Sequence, residues 1–246
     1  MTGPVLEARG IAKIYDGATI IQDISLHLEQ GELVCVLGVS GAGKTTLFHV
    51  LSGLTAPEQG NVYLGGEEIT GRPGRVSYML QKDLLLPHKR IVDNVALPLI
   101  LRGEKKASAR EKASALFGQF GLEGTQMMYP AQLSGGMRQR AALLRTYLGS
   151  EGVALLDEPF SALDALTKRE IHKWYLQVME KIKLSTLFIT HDIDEAILLS
   201  DRIYILGGKP GHMIAELKID PSRPRPEDFA LTHAFADYKR EILSYL

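Results

Sequence analysis

Three unbroken apolar runs stand out along the chain: "ELVCVL" at 32–37, "GVALLDEP" at 152–159 and "LSTLFITHD" at 184–192. Runs of this length without polar interruption fit strands covered on both faces, as in a parallel sheet. The segment "ALTKREIHKWYLQVMEKIK" lies between the last two with helical spacing, which makes a βα alternation. Upstream, "VLEARGIAKIYDGATIIQDISLHLEQGELVCVLG" reads as short strands with turns at Asp16-Gly17 and Gln30-Gly31. "TTLFHVLSGL" predicts a helix ending at Gly53, "GNVYLGGEEIT" a further pair of short strands, and "RVSYMLQ" a strand ending at Gln81. "DRIYILGG" and "HMIAELKID" close the sheet region. From about 83 to 150 the character changes: "ASAREKASALFGQFGL" and "SGGMRQRAALLRTYLGS" are helical and rich in Ala, Leu, Arg and Lys. The tail "PSRPRPEDFALTHAFADYKREILSYL" is a Pro-rich link and a helix. The pattern predicts one α/β unit over 1–246. Its core comes from about 1–82 and 151–220, a helical block of about 83–150 is inserted, and a short tail covers 221–246.

Composition narrows the function classes. With 28 basic and 29 acidic residues among 246, the formal net charge is −1, which gives no surface for a polyanion and excludes nucleic acid as an expected partner. Cys35 is the single cysteine, so no internal disulfide forms; it reads as a small buried strand residue in a reducing compartment. "MTGPVLEARG" lacks the basic-then-apolar form of a secretory signal. No stretch approaches the roughly 18–20 apolar residues of a spanning helix. The expectation is a protein that does not cross a membrane, though it can sit against something that does.

The chemistry sits at the ends of the apolar runs. "GVSGAGKT", residues 38–45, follows one run and opens a helix, in the form G-x-x-x-x-G-K-[ST]. Its glycines let backbone N–H groups turn toward one point, and the helix N-terminus adds positive potential. The loop Gly38, Val39, Ser40, Gly41, Ala42 and Gly43, continued by Thr46, is therefore a phosphate cradle. Lys44 supplies charge for the β and γ phosphates, and the Thr45 hydroxyl a ligand for Mg²⁺. Asp157 ends the second run, where a carboxylate completes such a Mg²⁺ site. Strand ends in open α/β sheets converge on the ligand. The adjacent Glu158 is placed to orient or deprotonate an attacking water. His191 ends the third run on the same rim. Ser134, Gly135 and Gly136 open another helix and form a second anion-binding N-terminus on a different structural unit. Both elements reach one nucleotide most simply across a head-to-tail dimer.

In order and spacing these motifs resemble the ATP-binding subunits of ABC transporters over essentially the whole chain. "GVSGAGKT" resembles the Walker A motif, "VALLDE" the Walker B and "LSGGMRQ" the ABC signature. Gln81 falls at the Q-loop glutamine, "SALD" (Ser161 to Asp164) at the D-loop and His191 at the switch histidine. Tyr15 falls at the aromatic that stacks on adenine. The resemblance implies a P-loop cassette with a mixed, mostly parallel core sheet, an antiparallel β subdomain and an inserted helical subdomain. It implies two ATP sandwiched between two nucleotide-binding chains, expected to be a homodimer, whose closure drives a membrane partner. Walker A and Tyr15 would hold ATP. Thr45, Gln81 and Asp157 would arrange Mg²⁺, Glu158, His191 and Lys44 would serve catalysis, and Ser134, Gly135 and Gly136 would act on the partner's ATP. The segment from Gln81 to His88, with an apolar patch at Leu84 to Leu86, would dock the permease.

Within that family "LLP…VxDNV", "LSGGMRQR" and the tail are similar to the nitrate, sulfonate and taurine importer group, which includes thiamine-pyrimidine-precursor subunits. The group commonly has Trp where His88 stands, a phenylalanine at Leu80 and "ALARAL" where this chain reads "ALLRTYL". The expected function is ATP hydrolysis that energises uptake of a small organic or anionic solute through a separate permease. A solute-binding protein would join the complex, and the chain would sit peripherally on the cytoplasmic face of the cell membrane. No further domain is expected after residue 246, which would set the chain apart from sugar and metal importer subunits with C-terminal regulatory modules. An exporter ATPase and a soluble ABC ATPase are the alternatives. A small-molecule P-loop kinase is disfavoured by the signature and D-loop.

Overall fold

The computed structural model describes residues 3–161, 164–223, 225–226 and 228–246. The chain opens with a hairpin of β1 (Leu6–Tyr15) and β2 (Ala18–Leu28), turned at Asp16 and Gly17, both with positive φ. Next come β3 (Leu33–Leu37), α1 (Lys44–Leu51), β4 (Gln59–Leu64), β5 (Glu67–Glu68) and β6 (Ser77–Met79). Helices α2 (Ile91–Val95), α3 (Leu97–Leu101), α4 (Lys106–Leu116) and α5 (Gly135–Gly149) follow. The remainder runs β7 (Val153–Asp157), α6 (Ala165–Ile182), β8 (Ser185–Thr190), α7 (Ile193–Leu199), β9 (Arg202–Gly207), β10 (His212–Lys218) and α8 (His233–Tyr245).

The described strands form two sheets. One is antiparallel, in the order β2-β1-β4-β5; the other runs β10-β9-β3-β8-β7-β6 and is parallel except for its edge strand β10. The three unbroken apolar runs become the adjacent strands β3, β8 and β7, buried at every position. Their side chains alternate between two cores. Leu33, Cys35, Leu37, Ala154, Leu156 and Phe188 pack with the helical segment, α6 and the tail. Val34, Val36, Val153, Leu155, Leu187 and Ile189 pack with α1 and the antiparallel sheet. Period-two alternation thus makes each strand a wall shared by both halves. Gln22 N–H donates to Gly211 O at 2.8 Å, joining β2 to the turn before β10.

Two details differ from the sequence reading. The strand expected to reach Gln81 stops at Met79, so Gln81 stands on the loop beyond it. The three-leucine patch divides: Leu84 is 53% exposed, Leu85 is buried in the core and Leu86 is half-buried. One leucine therefore faces outward, because Asn94 binds the loop from inside; its Oδ1 accepts from Leu86 N–H and its Nδ2 donates to Leu86 O. Of the D-loop expectation, Ala162 and Leu163 lie outside the described residues.

Candidate functional site

The loop 38–43 leaves β3 at the carboxyl edge of the parallel sheet and enters α1. Two glycines are required by its surroundings. A Cβ on Gly38 would run into the Leu206 carbonyl, and Gly43 has φ 94° with Ile21 against its α-carbon. Buried Lys44 folds back over the loop, its ammonium donating to Gly38 O at 2.7 Å and Val39 O at 2.9 Å. Burial lowers its pKa, against the opposing pull of Glu158 and Asp157. The first-turn N–H groups of α1 have no acceptor within the helix and face the same concavity. The cleft holds about 570 Å³, and Ile20, Ser40, Lys44, Thr46, Glu158 and His191 are among its walls.

β7 carries Asp157 to this edge. Its Oδ2 accepts from the Tyr78 hydroxyl at 3.0 Å and from Thr45 Oγ1 at 3.4 Å. Burial raises the carboxyl's pKa, and the Tyr78 bond works against that rise. The same burial, with Asp157 beside it, pushes the Tyr78 hydroxyl far up, so it stays a donor. Sequence reading missed Tyr78. It pairs with Leu155 on the neighbouring strand, two residues before Asp157, so both side chains lie on one face. Only the register, which pattern does not give, brings them together.

Glu158 adopts φ 45°, a conformation uncommon for a residue with a side chain. Its N–H is held by Ile189 O at 3.1 Å. Its carboxylate lies between two expected site residues: Oε2 accepts from Gln81 Nε2 at 3.0 Å, and Oε1 is 3.0 Å from His191 Nδ1. Gln81 Nε2 also reaches Ser161 Oγ at 3.3 Å. Lys44, Thr45, Gln81, Asp157, Glu158 and His191, spread over 148 positions of sequence, are thus gathered at one sheet edge.

Other expected residues sit elsewhere. Tyr15, 40% exposed at the end of β1, does not line the cleft; the Lys13 ammonium lies 5.0 Å over its ring. Ile20, which sequence reading did not single out, walls the cleft instead. Ser134 caps α5, its hydroxyl accepting from Met137 N–H at 3.3 Å. Gly136 packs against Thr167 and Ile171 of α6. Gly135 borders a second cleft of about 840 Å³ that shares Gln81, Glu158 and His191 with the first. Of the two glycines that begin α5, Gly135 therefore opens onto the cleft that borders Glu158, while Gly136 faces α6.

Residues 21–161 match the family described as ABC transporter. A formylaminopyrimidine import ATP-binding protein of Halalkalibacterium halodurans is 45% identical over 84% of this chain and 80% of its own length. An aliphatic sulfonates import ATP-binding protein of Burkholderia cenocepacia is 40% identical over 90% of this chain and 81% of its own. Among solved structures, a dimeric post-hydrolysis state of an ATP-binding cassette bound to ADP and Pi superposes with a TM-score of 0.74. It is 26% identical and covers 88% of this chain and 100% of that one.

Proposed function

The chain belongs to the ABC transporter family, and we propose that within it the chain is the ATP-hydrolysing subunit of an importer for a small organic or anionic solute. One observation carries the reading. A carboxylate, Glu158, is held between Gln81 and His191 at the mouth of a phosphate cradle. Such a group accepts a proton from water attacking the γ-phosphate. His191 would orient it, and lines the cleft that the phosphates would enter. The Lys44 ammonium, now on two loop carbonyls, is already at the centre of the cradle where β and γ oxygens would take their place. Ser134, Gly135 and Gly136 of a second identical chain would close on the same nucleotide from outside, supported by the dimeric form of the related cassette.

Thr45 and Asp157 fit Mg²⁺: one hydroxyl and one carboxylate, 3.4 Å apart, are the hard oxygen donors that would hold it. Gln81 lies on the same cleft as the third expected donor. A bound Mg²⁺ neutralises charge developing on the β and γ oxygens. Tyr78 then fixes which way the Asp157 carboxylate faces. Tyr78→Phe keeps the ring packed edge-on to Phe48 and His49 and removes only the hydroxyl. The Mg²⁺ concentration needed for half-maximal ATP hydrolysis should rise about tenfold, as for loss of an outer-shell partner of a ligand. Binding of a fluorescent ATP analogue without metal should not change. An unaltered Mg²⁺ requirement would show the hydroxyl to be idle.

No described helix is long and apolar enough to cross a membrane, and we place the chain peripherally against a permease at the cytoplasmic face, with a solute-binding protein in the complex. The loop after Gln81 supports that docking. Leu84 points outward, while Arg145 holds Leu84 O at 2.9 Å and Arg138 reaches Asp83 at 3.2 Å. Both arginines lie on α5, so force on the loop is passed to the helix that Ser134 caps. A cysteine placed at Leu84, on the full chain coexpressed with its permease and solute-binding protein, should crosslink to the permease. Solute should also stimulate hydrolysis in that complex. No crosslink and no stimulation in an intact complex would point to a different partner.

A further inference from the structure

Behind His191 lies a ring of charged side chains that the chemistry above does not use. Lys168, on α6, donates to Asp192 Oδ2 at 2.8 Å and pairs with Glu195 Oε1 at 2.5 Å. Glu195 Oε2 accepts from Thr190 Oγ1 at 2.5 Å, and Thr190 Oγ1 accepts from Asp192 N–H at 3.0 Å. Thr190 and Asp192 flank His191 directly, so the ring holds the backbone on both of its sides. Asp192 also caps α7, accepting from the N–H groups of Asp194 and Glu195.

The same face of α6 reaches the other member of the pair. His172, one turn beyond Lys168, stacks edge-on against Phe160 with centroids 4.7 Å apart, and its Nε2 lies 3.5 Å from Glu195 Oε1. Phe160 follows Glu158 by two residues. One helix face therefore touches both segments: Lys168 binds the Asp192 side chain beside His191, and His172 packs on the Phe160 ring two residues after Glu158. That helix begins at Asp164, whose carboxylate caps it by accepting from Thr167 N–H and whose carbonyl accepts from Lys168 N–H at 2.8 Å.

Stability alone does not explain such a ring. Glu195 is 3% exposed. Withdrawing a carboxylate from water is costly, and well-packed apolar side chains often serve stability as well or better. Burial works to raise the Glu195 carboxyl, yet bonds from His172, Lys168 and Thr190 hold it below the usual range. The ring stays ionised, and the Lys168–Asp192 and Thr190–Glu195 hydrogen bonds give it a direction that an apolar contact lacks.

We propose that Lys168, Asp192, Glu195 and Thr190 form a positioning clamp that sets the distance between His191 and Glu158 and makes it follow the start of α6 at Asp164. The inference rests on the reading of His191 and Glu158 given above. Displacement of the Asp164 end of α6 is then passed through Lys168 to the residue that faces the γ-phosphate.

The test is a mutant cycle in the full chain, with ATP affinity and steady-state hydrolysis measured separately. Lys168→Met should lower kcat about tenfold, the coupling expected of groups in one network, and leave ATP affinity unchanged. Lys168→Arg should restore most of kcat. In a His191→Ala background Lys168→Met should cause no further fall, because the clamp acts through His191. Thr190→Val, which opens the ring without stranding a lysine charge, should repeat this pattern if Lys168→Met folds poorly. Equal falls in both backgrounds would overturn the clamp and leave a structural ion pair. Normal turnover in His191→Ala alone would overturn the reading of His191, and the clamp with it.

Discussion

A chain carrying Glu158→Gln is expected to bind ATP as the parent does, hydrolyse it at least about a hundredfold more slowly, and accumulate as an ATP-bound dimer. The geometry favours so clean a separation. Glutamine has the same shape, and its amide oxygen can still accept from Gln81 Nε2 while its amide N–H₂ faces His191 Nδ1. Both 3.0 Å contacts of Glu158 therefore have a counterpart in the variant. Only the capacity to take a proton is lost, and with it one negative charge near the γ-phosphate. Size-exclusion chromatography with ATP, set beside phosphate release, measures both outcomes. Full turnover would remove Glu158 as the group that activates water.

The second large effect concerns the helix that begins at Gly135. Ser134→Arg should abolish hydrolysis while monomer affinity for ATP is unchanged, because Ser134 is assigned to the opposite chain's nucleotide. It also loses a helix cap worth about 1 kcal/mol, so unfolding must be followed alongside. A mixing experiment separates the two consequences. Ser134→Arg and Glu158→Gln are each inactive alone, but a mixed dimer holds one site with an intact cradle and an intact signature. Random pairing of equal amounts through a two-fold interface makes half the dimers mixed, each with one of two sites working. About a quarter of wild-type activity should therefore return. No recovery, with both variants folded and dimerising, would place Ser134 on its own chain's nucleotide or show that both sites must fire together. A fall in monomer ATP affinity would decide for the first.

The central strands were legible because burial on both faces leaves an unmistakable sequence mark. "LVCVL" and "VALL" are wholly apolar and "STLFIT" adds only small hydroxyl side chains, so Asp157 and His191 announce themselves as the first ionisable groups after these runs. The cradle was legible for a related reason, since its glycines answer local steric demands of Leu206 and Ile21 that recur wherever a loop turns its amides inward. What pattern did not reveal depends on register and long-range contact. Tyr78 meets Asp157 because β6 pairs with β7 at Leu155, which no spacing along the chain encodes. The helical spacing around Lys168 does not single it out, because its partners lie 24 and 27 positions away, at the cap and in the first turn of α7. The leucines after Gln81 looked alike, yet Leu85 is buried and Leu84 is not, because Asn94 decides how the loop turns.

The alternation of β3 between two cores has a consequence for how the chain can change over time. Leu33, Cys35 and Leu37 answer to one set of neighbours, and Val34 and Val36 to another. A strand with a wet face can absorb substitutions there, but β3 has no such face, and interiors packed at crystal density feel even one methylene. Drift at any of its five positions must be matched by a change in the antiparallel half or in the helical half, and neither half can compensate for the other. The segment that aims the phosphate loop is thus held in place by two independent histories of substitution, and can move only when both permit it.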